Sequence, residues 1–234
     1  VFNYVRPVRD AEVNSELFAH VADGPVGSGY FRSYIILVNS QSVEVTGSLR
    51  FYDYLGEDNF LSVEGEFLSE KPFSIPARSS LVISTDGISN PVYVGWARAL
   101  SDGPLSGMLQ YSLEDSSGKP IREAGIQSSP LRQELTASIQ RNTETGLDSG
   151  MALVNPQPDS TTVTIRVKDD LGEVLARTEI ELGPGEHTSM FLSQLGDLPG
   201  IFEGTLMINA TSPVGATLIR TVDGIHSSSL PFGM

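Results

Sequence analysis

The chain has 234 residues, of which 39% are hydrophobic and 19% charged, with a net charge of −14 and no cysteine. This composition supports a buried core, excludes disulfides and cysteine-based metal sites, and makes nucleic acid and anionic membranes improbable partners. The longest apolar run, residues 34–38, is far shorter than the roughly 20 residues that span a bilayer.

The first fifteen residues are interpreted as an extension that precedes the first folded unit. Residues 1–8 read VFNYVRPV, a sequence suited to a β-strand that ends near Pro7, where no ladder donor is needed. The chain begins at Val1 without an initiator methionine, as expected of a mature exported form or of a trimmed chain.

An internal repeat organises the rest of the chain. Residues 34–57 align without a gap to residues 150–173, with ten of 24 positions identical. A second match, at a different offset, pairs PVYVGWAR (91–98) with PVGATLIR (213–220). We therefore predict a tandem duplication, with one unit at 16–128, a second at 132–234 and a joint near 127–133.

Both units read as β-structure. Apolar and polar residues alternate over 162–168, which is typical of a half-buried strand. Asp53 with Gly56, and Asp169 with Gly172, have the spacing of a type I turn. A hairpin is expected around residues 64–66, and one or two helical turns over 191–200. The predicted fold is all-β: two tandem immunoglobulin-like antiparallel β-sandwiches with an N-terminal extension strand.

No motif in the sequence predicts a catalytic or metal site. His20, His187 and His226 lie far apart and lack metal-ligand spacing, so strand or loop histidines are expected. Asp53, Glu57 and Asp58, like Asp169, Asp170 and Glu173, resemble half a calcium loop and are interpreted as turn residues. We predict no enzyme activity, no metal and no cofactor.

Several other residues are assigned structural roles or a possible modification. Ser149 lies in an Asp-Ser-Gly sequence but is expected at a strand entry, as Ser33 is in the first unit. Trp96 is expected in a core, with Leu218 as its counterpart, and Asn209 begins the N-x-S/T glycosylation sequon. Strand arginines shared by the two units are expected to pair with a turn carboxylate, such as Asp53 or Asp169, or with loop carbonyls; they are Arg50, Arg166, Arg98 and Arg220.

The segments FAHVADG (18–24), LVNSQ (37–41), LVNPQP (153–158), VGWAR (94–98) and EAGIQSSP (123–130) resemble tandem β-sandwich repeats of bacterial exported and cell-surface proteins. The resemblance implies a secreted, non-catalytic, multidomain wall or surface component.

The chain ends suggest a mode of assembly. After Arg220 the sequence has room for one strand, whereas two follow Arg98, so the second sandwich is expected to lack a strand. A neighbouring subunit would supply it by strand donation, a mechanism similar to that of donor-strand pilus subunits. The donor residues are Val1, Phe2, Asn3, Tyr4, Val5, Arg6, Pro7 and Val8.

Sequence reasoning leaves three functions open. The first is a self-assembling extracellular filament or surface-layer subunit, whose partners are identical subunits and whose location is the cell surface. The second is a monomeric adhesin module that binds glycans or proteins through exposed aromatic residues; the candidates are Tyr30, Phe31, Tyr34, Phe51, Tyr52 and Tyr54. The third is an accessory domain of a larger enzyme.

Overall fold

The structure is a computed structural model that describes residues 14–222, the main chain of residues 225–230, and Phe232. The donor segment, residues 1–8, lies outside the described residues. Within the described residues, the regular elements are β-strands apart from a single 3-10 turn at Leu192–Gln194. No helix in this part of the chain is long and apolar enough to cross a membrane.

Among the residues that the structure describes, the N-terminal half contains ten strands and the C-terminal half seven. In the N-terminal half they are β1 (Asn14–Val26), β2 (Gly29–Asn39), β3 (Val45–Tyr52), β4 (Leu61–Val63), β5 (Glu66–Leu68), β6 (Glu70–Ile75), β7 (Ser79–Ser84), β8 (Tyr93–Ser101), β9 (Ser106–Glu114) and β10 (Pro120–Gln127). In the C-terminal half they are β11 (Arg132–Asn142), β12 (Leu147–Val154), β13 (Thr161–Asp169), β14 (Val174–Leu182), β15 (His187–Phe191), β16 (Ile201–Val222) and β17 (Ile225–Leu230).

Each half is a curled antiparallel sheet that folds over its own core. In the N-terminal half, the layer β6-β3-β8-β1 faces the layer β7-β2-β9-β10, and β1 pairs with both β8 and β2. The buried residues between these layers include Leu37, Leu49 and Phe51. The architecture is all-β and sandwich-like, as the sequence predicts.

The C-terminal half is built in the same way, but one long strand, β16, occupies the positions of two strands of the N-terminal half. Residues 201–210 of β16 lie between β11 and β13, as β8 lies between β1 and β3. Residues 215–222 then pair with β12, as β9 pairs with β2. No turn interrupts β16, whereas the four residues 102–105 separate β8 from β9.

This topology corrects the second repeat match. Residues 91–98 belong mainly to β8, whereas 213–220 occupy the position of β9, so the two segments are not structural equivalents. Short apolar strands resemble one another in sequence, and only their pairing partners distinguish them.

The expectation that the second unit lacks a strand is also wrong. β17 pairs with the C-terminal part of β16, just as β10 pairs with β9. Because β16 supplies two positions, the C-terminal half has a counterpart for each strand of the first half except the small β4–β5 hairpin. The described C-terminal sheet therefore needs no donated strand to match the first.

Local predictions agree better with the structure. β13 alternates buried and half-buried residues along 161–168, and β4 and β5 form the hairpin predicted around residues 64–66. The predicted helical segment contains the 3-10 turn. In each half the turn after the third strand is closed by an aspartate: Asp53 Oδ1 accepts from the N–H groups of Leu55 and Glu57, and Asp169 Oδ1 accepts from those of Leu171 and Glu173.

Candidate functional site

The repeated LVN motif supplies one internal brace to each half. Asn39 is fully buried, and its Nδ2 donates to the carbonyls of Val43, Ile75 and Pro76 at 2.8 to 3.0 Å. Asn155 is equally buried, and its Nδ2 donates to the carbonyls of Asp159, Leu182 and Gly183. The asparagines therefore act as structural cross-links between a strand end and two loops.

The two halves meet in a packed junction. Leu17, Ala19, Trp96 and Val154 form a buried apolar cluster that contains residues of both halves. Ile219, on β16, belongs to the core of the N-terminal half. Burial of this apolar surface holds the halves against each other.

Hydrogen bonds fix the alignment of the halves at this junction. Trp96 Nε1 donates to the Gly185 carbonyl at 3.0 Å, and the His187 N–H donates to the Tyr54 carbonyl at 2.9 Å. Trp96 also stacks on Tyr52, with ring centroids 4.1 Å apart. Trp96 is buried, as expected, but it lies in the junction and its strand position matches 205 rather than Leu218.

The segment between β10 and β11 contributes a second set of bonds. The Ser129 N–H donates to the Leu17 carbonyl, while the Ser129 hydroxyl donates to the Ala216 carbonyl and accepts from the Ala216 N–H. A single serine thus links β1 of one half to β16 of the other.

His20 and His187 meet at the junction, although 167 positions separate them in the chain. His20 Nδ1 lies 3.4 Å from His187 Nε2, and the rings stack with centroids 5.6 Å apart. His187 is buried, and burial lowers its pKa to about 4. No spacing in the sequence indicates this pair, because β1 and β15 come together only in the folded chain.

Beside His20 lies a half-open apolar cavity of about 230 Å³. Its walls include Phe31, Met151, Met190, Phe191 and Ile219. Within the described part of the chain, no group of three or more histidine, aspartate or glutamate residues is placed to hold a metal ion.

Three of the four shared arginines bind partners other than the turn aspartates. Arg50 pairs with Glu70 on the neighbouring strand at 3.1 Å, and Arg98 Nε donates to the Ser15 hydroxyl. Arg220 Nη1 donates to the Gln140 side chain at 3.3 Å. Arg166 lies opposite Arg177 in the register of β13 and β14. The expected pairing with Asp53 or Asp169 is wrong, because those carboxylates accept main-chain N–H groups of their own turns.

The remaining candidate residues occupy ordinary strand positions. Ser149 is buried and its hydroxyl donates to the Gln140 carbonyl, while Ser33 donates to the Ala22 carbonyl. Asn209 is half-buried in β16, paired with both neighbouring strands.

The aromatic candidates do not form an exposed row. Phe51 is buried, and Tyr54 alone among the six is exposed. An exposed aromatic pair that sequence reasoning missed is formed by Phe60 and Phe67, whose rings stack 5.9 Å apart near the β4–β5 hairpin.

The outer edges of the sheets differ in how they are protected. β6 carries Pro72 and Lys71, which forms ion pairs with Glu64 and Glu66. β14 carries Arg177, Glu179 and Glu181. Proline and charge on an edge strand oppose pairing with another chain. β7, with the sequence SSLVIS, has neither.

An apolar row continues from β7 across the outer face of its layer. Val82, Ile36 and Met108 are directly opposite one another on β7, β2 and β9. Val82 is 48% exposed and Met108 39% exposed, and Val38 beside them is 41% exposed. An uncharged edge that adjoins exposed apolar side chains is a surface suited to protein contact.

No known protein family matches the chain, and no curated protein matches it.

Proposed function

We propose that this protein is a non-catalytic extracellular structural subunit, built from two immunoglobulin-like sandwiches, that assembles with copies of itself by strand addition at β7. The observation that carries the proposal is a contrast between strand edges: residues 79–83 of β7 carry neither proline nor charge, whereas the edges formed by β6 and β14 carry one or both.

The main-chain geometry of β7 supports strand addition. The Ser84 carbonyl accepts from the Glu64 N–H of the adjoining hairpin, whereas Thr85 bonds back to Ser33 on β2. Because strand residues alternate, the main-chain groups of Ser80 and Val82 point to the same outer side as those of Ser84. They offer donors and acceptors to an incoming strand.

Residues 1–8 of a second copy are the donor that we propose. The segment is apolar at five positions and lacks acidic residues, so it suits an edge flanked by apolar side chains. Such a contact joins unlike surfaces of two copies and grows a filament unless it closes into a ring.

Light scattering and electron microscopy of the purified full chain test the proposal. We expect assemblies larger than the 25.2 kDa monomer, which V82K and S80P abolish because they place a charge or remove an outward N–H at the edge. V174K is the matched control: Val174 is 52% exposed on the protected edge of β14.

Each result decides a separate part of the proposal. A wild-type chain that remains monomeric at all concentrations, or equal effects of V82K and V174K, would refute assembly at β7. Assemblies that persist after deletion of residues 1–8 would reject that segment as the donor while retaining the edge.

A second candidate function is a surface module that binds glycans or proteins through the Phe60–Phe67 pair. The side chains are 55% and 75% exposed and present stacked rings at the surface. Binding on a glycan array that F67A abolishes would favour this function, and the absence of glycan binding would count against it.

A further inference from the structure

The histidine pair at the junction depends on the protonation of its two rings. A neutral imidazole has one N–H donor and one acceptor nitrogen, whereas a protonated imidazole has two donors. The 3.4 Å contact between His20 Nδ1 and His187 Nε2 therefore needs a lone pair on one of the two nitrogens. When both rings are protonated, two N–H groups and two positive charges face each other.

Repulsion between two protonated rings would act on contacts that join the two halves, because His187 lies among those contacts. The His187 side chain is buried, and the main-chain N–H of His187 donates to the carbonyl of Tyr54 in the other half. Trp96 of the N-terminal half is bonded to Gly185, two residues before it. On the other side, Tyr111 lies beneath His20 and its hydroxyl donates to the His20 carbonyl.

The segments around His187 provide no counter-ion for a protonated ring. The titratable groups they carry are Glu16, His20 and Asp23 on β1, Tyr111 and Glu114 on β9, Asp148 on β12, Asp53, Tyr54, Glu57 and Asp58 after β3, and Glu186 before His187 itself. The ion pairs among the described residues include none to His187. Burial without a carboxylate partner penalises the charged form, and a hydrogen bond with the Ala19 main chain offsets only part of this penalty.

We propose that the His20–His187 pair is an acid-sensitive latch, which holds the two halves together while at least one of the two rings is neutral and releases them when both are protonated. This inference goes beyond the proposed assembly function and does not depend on it.

The pH dependence of opening follows from the difference in the pKa of His187 between the closed and the open junction. Burial lowers the pKa of His187 to about 4 in the closed junction, against 6.5 in its ordinary state. The open form therefore binds a proton that the closed form does not between these two values. Acidification within this window favours opening by up to a factor of ten per pH unit, and the total effect approaches roughly 300-fold below the lower pKa.

The single tryptophan provides a direct reporter. Trp96 is buried in the junction and bonded across it, so opening exposes its indole to water. We expect its emission in the full-length protein to shift to longer wavelength as the pH falls from 7 to 4. H187Q, which stays neutral, should remove this shift, and H226Q, at the third histidine, should leave it unchanged.

The His187 ring can also be followed in the wild-type protein by NMR titration, which needs no variant to fold. A His187 pKa well below 6.5, and a Trp96 shift that H187Q removes, would support the latch. An ordinary His187 pKa, a Trp96 emission that does not change down to pH 4, or the same shift in H187Q would overturn it.

Discussion

Two glycines that are equivalent in the repeat give a direct test of how tightly the halves are joined. Gly56 and Gly172 occupy the same position of the same aspartate-closed turn, with φ of 84° and 87°. A Cβ at Gly172 would meet no atom within 4 Å, whereas a Cβ at Gly56 would lie 2.6 to 2.7 Å from the main chain of Gly185 in the other half.

The two alanine variants should therefore lose different amounts of stability. Both G56A and G172A place a side chain at positive φ, at a cost of about 1–2 kcal/mol. G56A must also push the Gly185 segment away, which weakens the hydrogen bonds from Trp96 to Gly185 and from His187 to Tyr54. At about 0.5–1.5 kcal/mol for each hydrogen bond, the extra loss is about 1–3 kcal/mol.

Urea unfolding followed by circular dichroism and by Trp96 fluorescence measures both losses. Effects of alanine on the unfolded chain are the same at both positions and cancel in the comparison. We also expect G56A, and not G172A, to shift the Trp96 emission of the folded protein. Equal losses in the two variants, with an unchanged emission in both, would show that the halves are not in the contact described.

Three further predictions concern single side chains. Asn39→Ala and Asn155→Ala should each lower the free energy of unfolding by about 2–4 kcal/mol, because each leaves buried carbonyls without a donor. Denaturant titrations measure this loss, and a neutral effect of either substitution would contradict the assigned role. Ser129→Ala should cost about 1–3 kcal/mol and speed hydrogen exchange of the β16 amide that it caps, and unchanged exchange would refute the link. Arg50→Ala should change stability by less than about 1 kcal/mol, because its ion pair with Glu70 is solvent-exposed; a larger loss in thermal unfolding would show another role.

The local features of this protein were predictable from the sequence because they depend on neighbours in the chain. The alternation in β13, the aspartate-closed turns at Asp53 and Asp169, and the hairpin at β4–β5 each follow from a few adjacent residues. The repeat was visible for the same reason: both copies keep the asparagine and the turn that every copy of this unit needs.

The tertiary structure decided which segments meet. β16 is continuous, and the C-terminal sheet complete, because β16 pairs with β11, β13 and β12. A short apolar run in the sequence does not specify which strands it will pair with. The His20–His187 contact and the place of Trp96 between the halves come from the packing of two sheets built far apart in the chain. Side-chain patterns specify which face of a strand is buried. Which other strands cover that face depends on the packing of the whole chain.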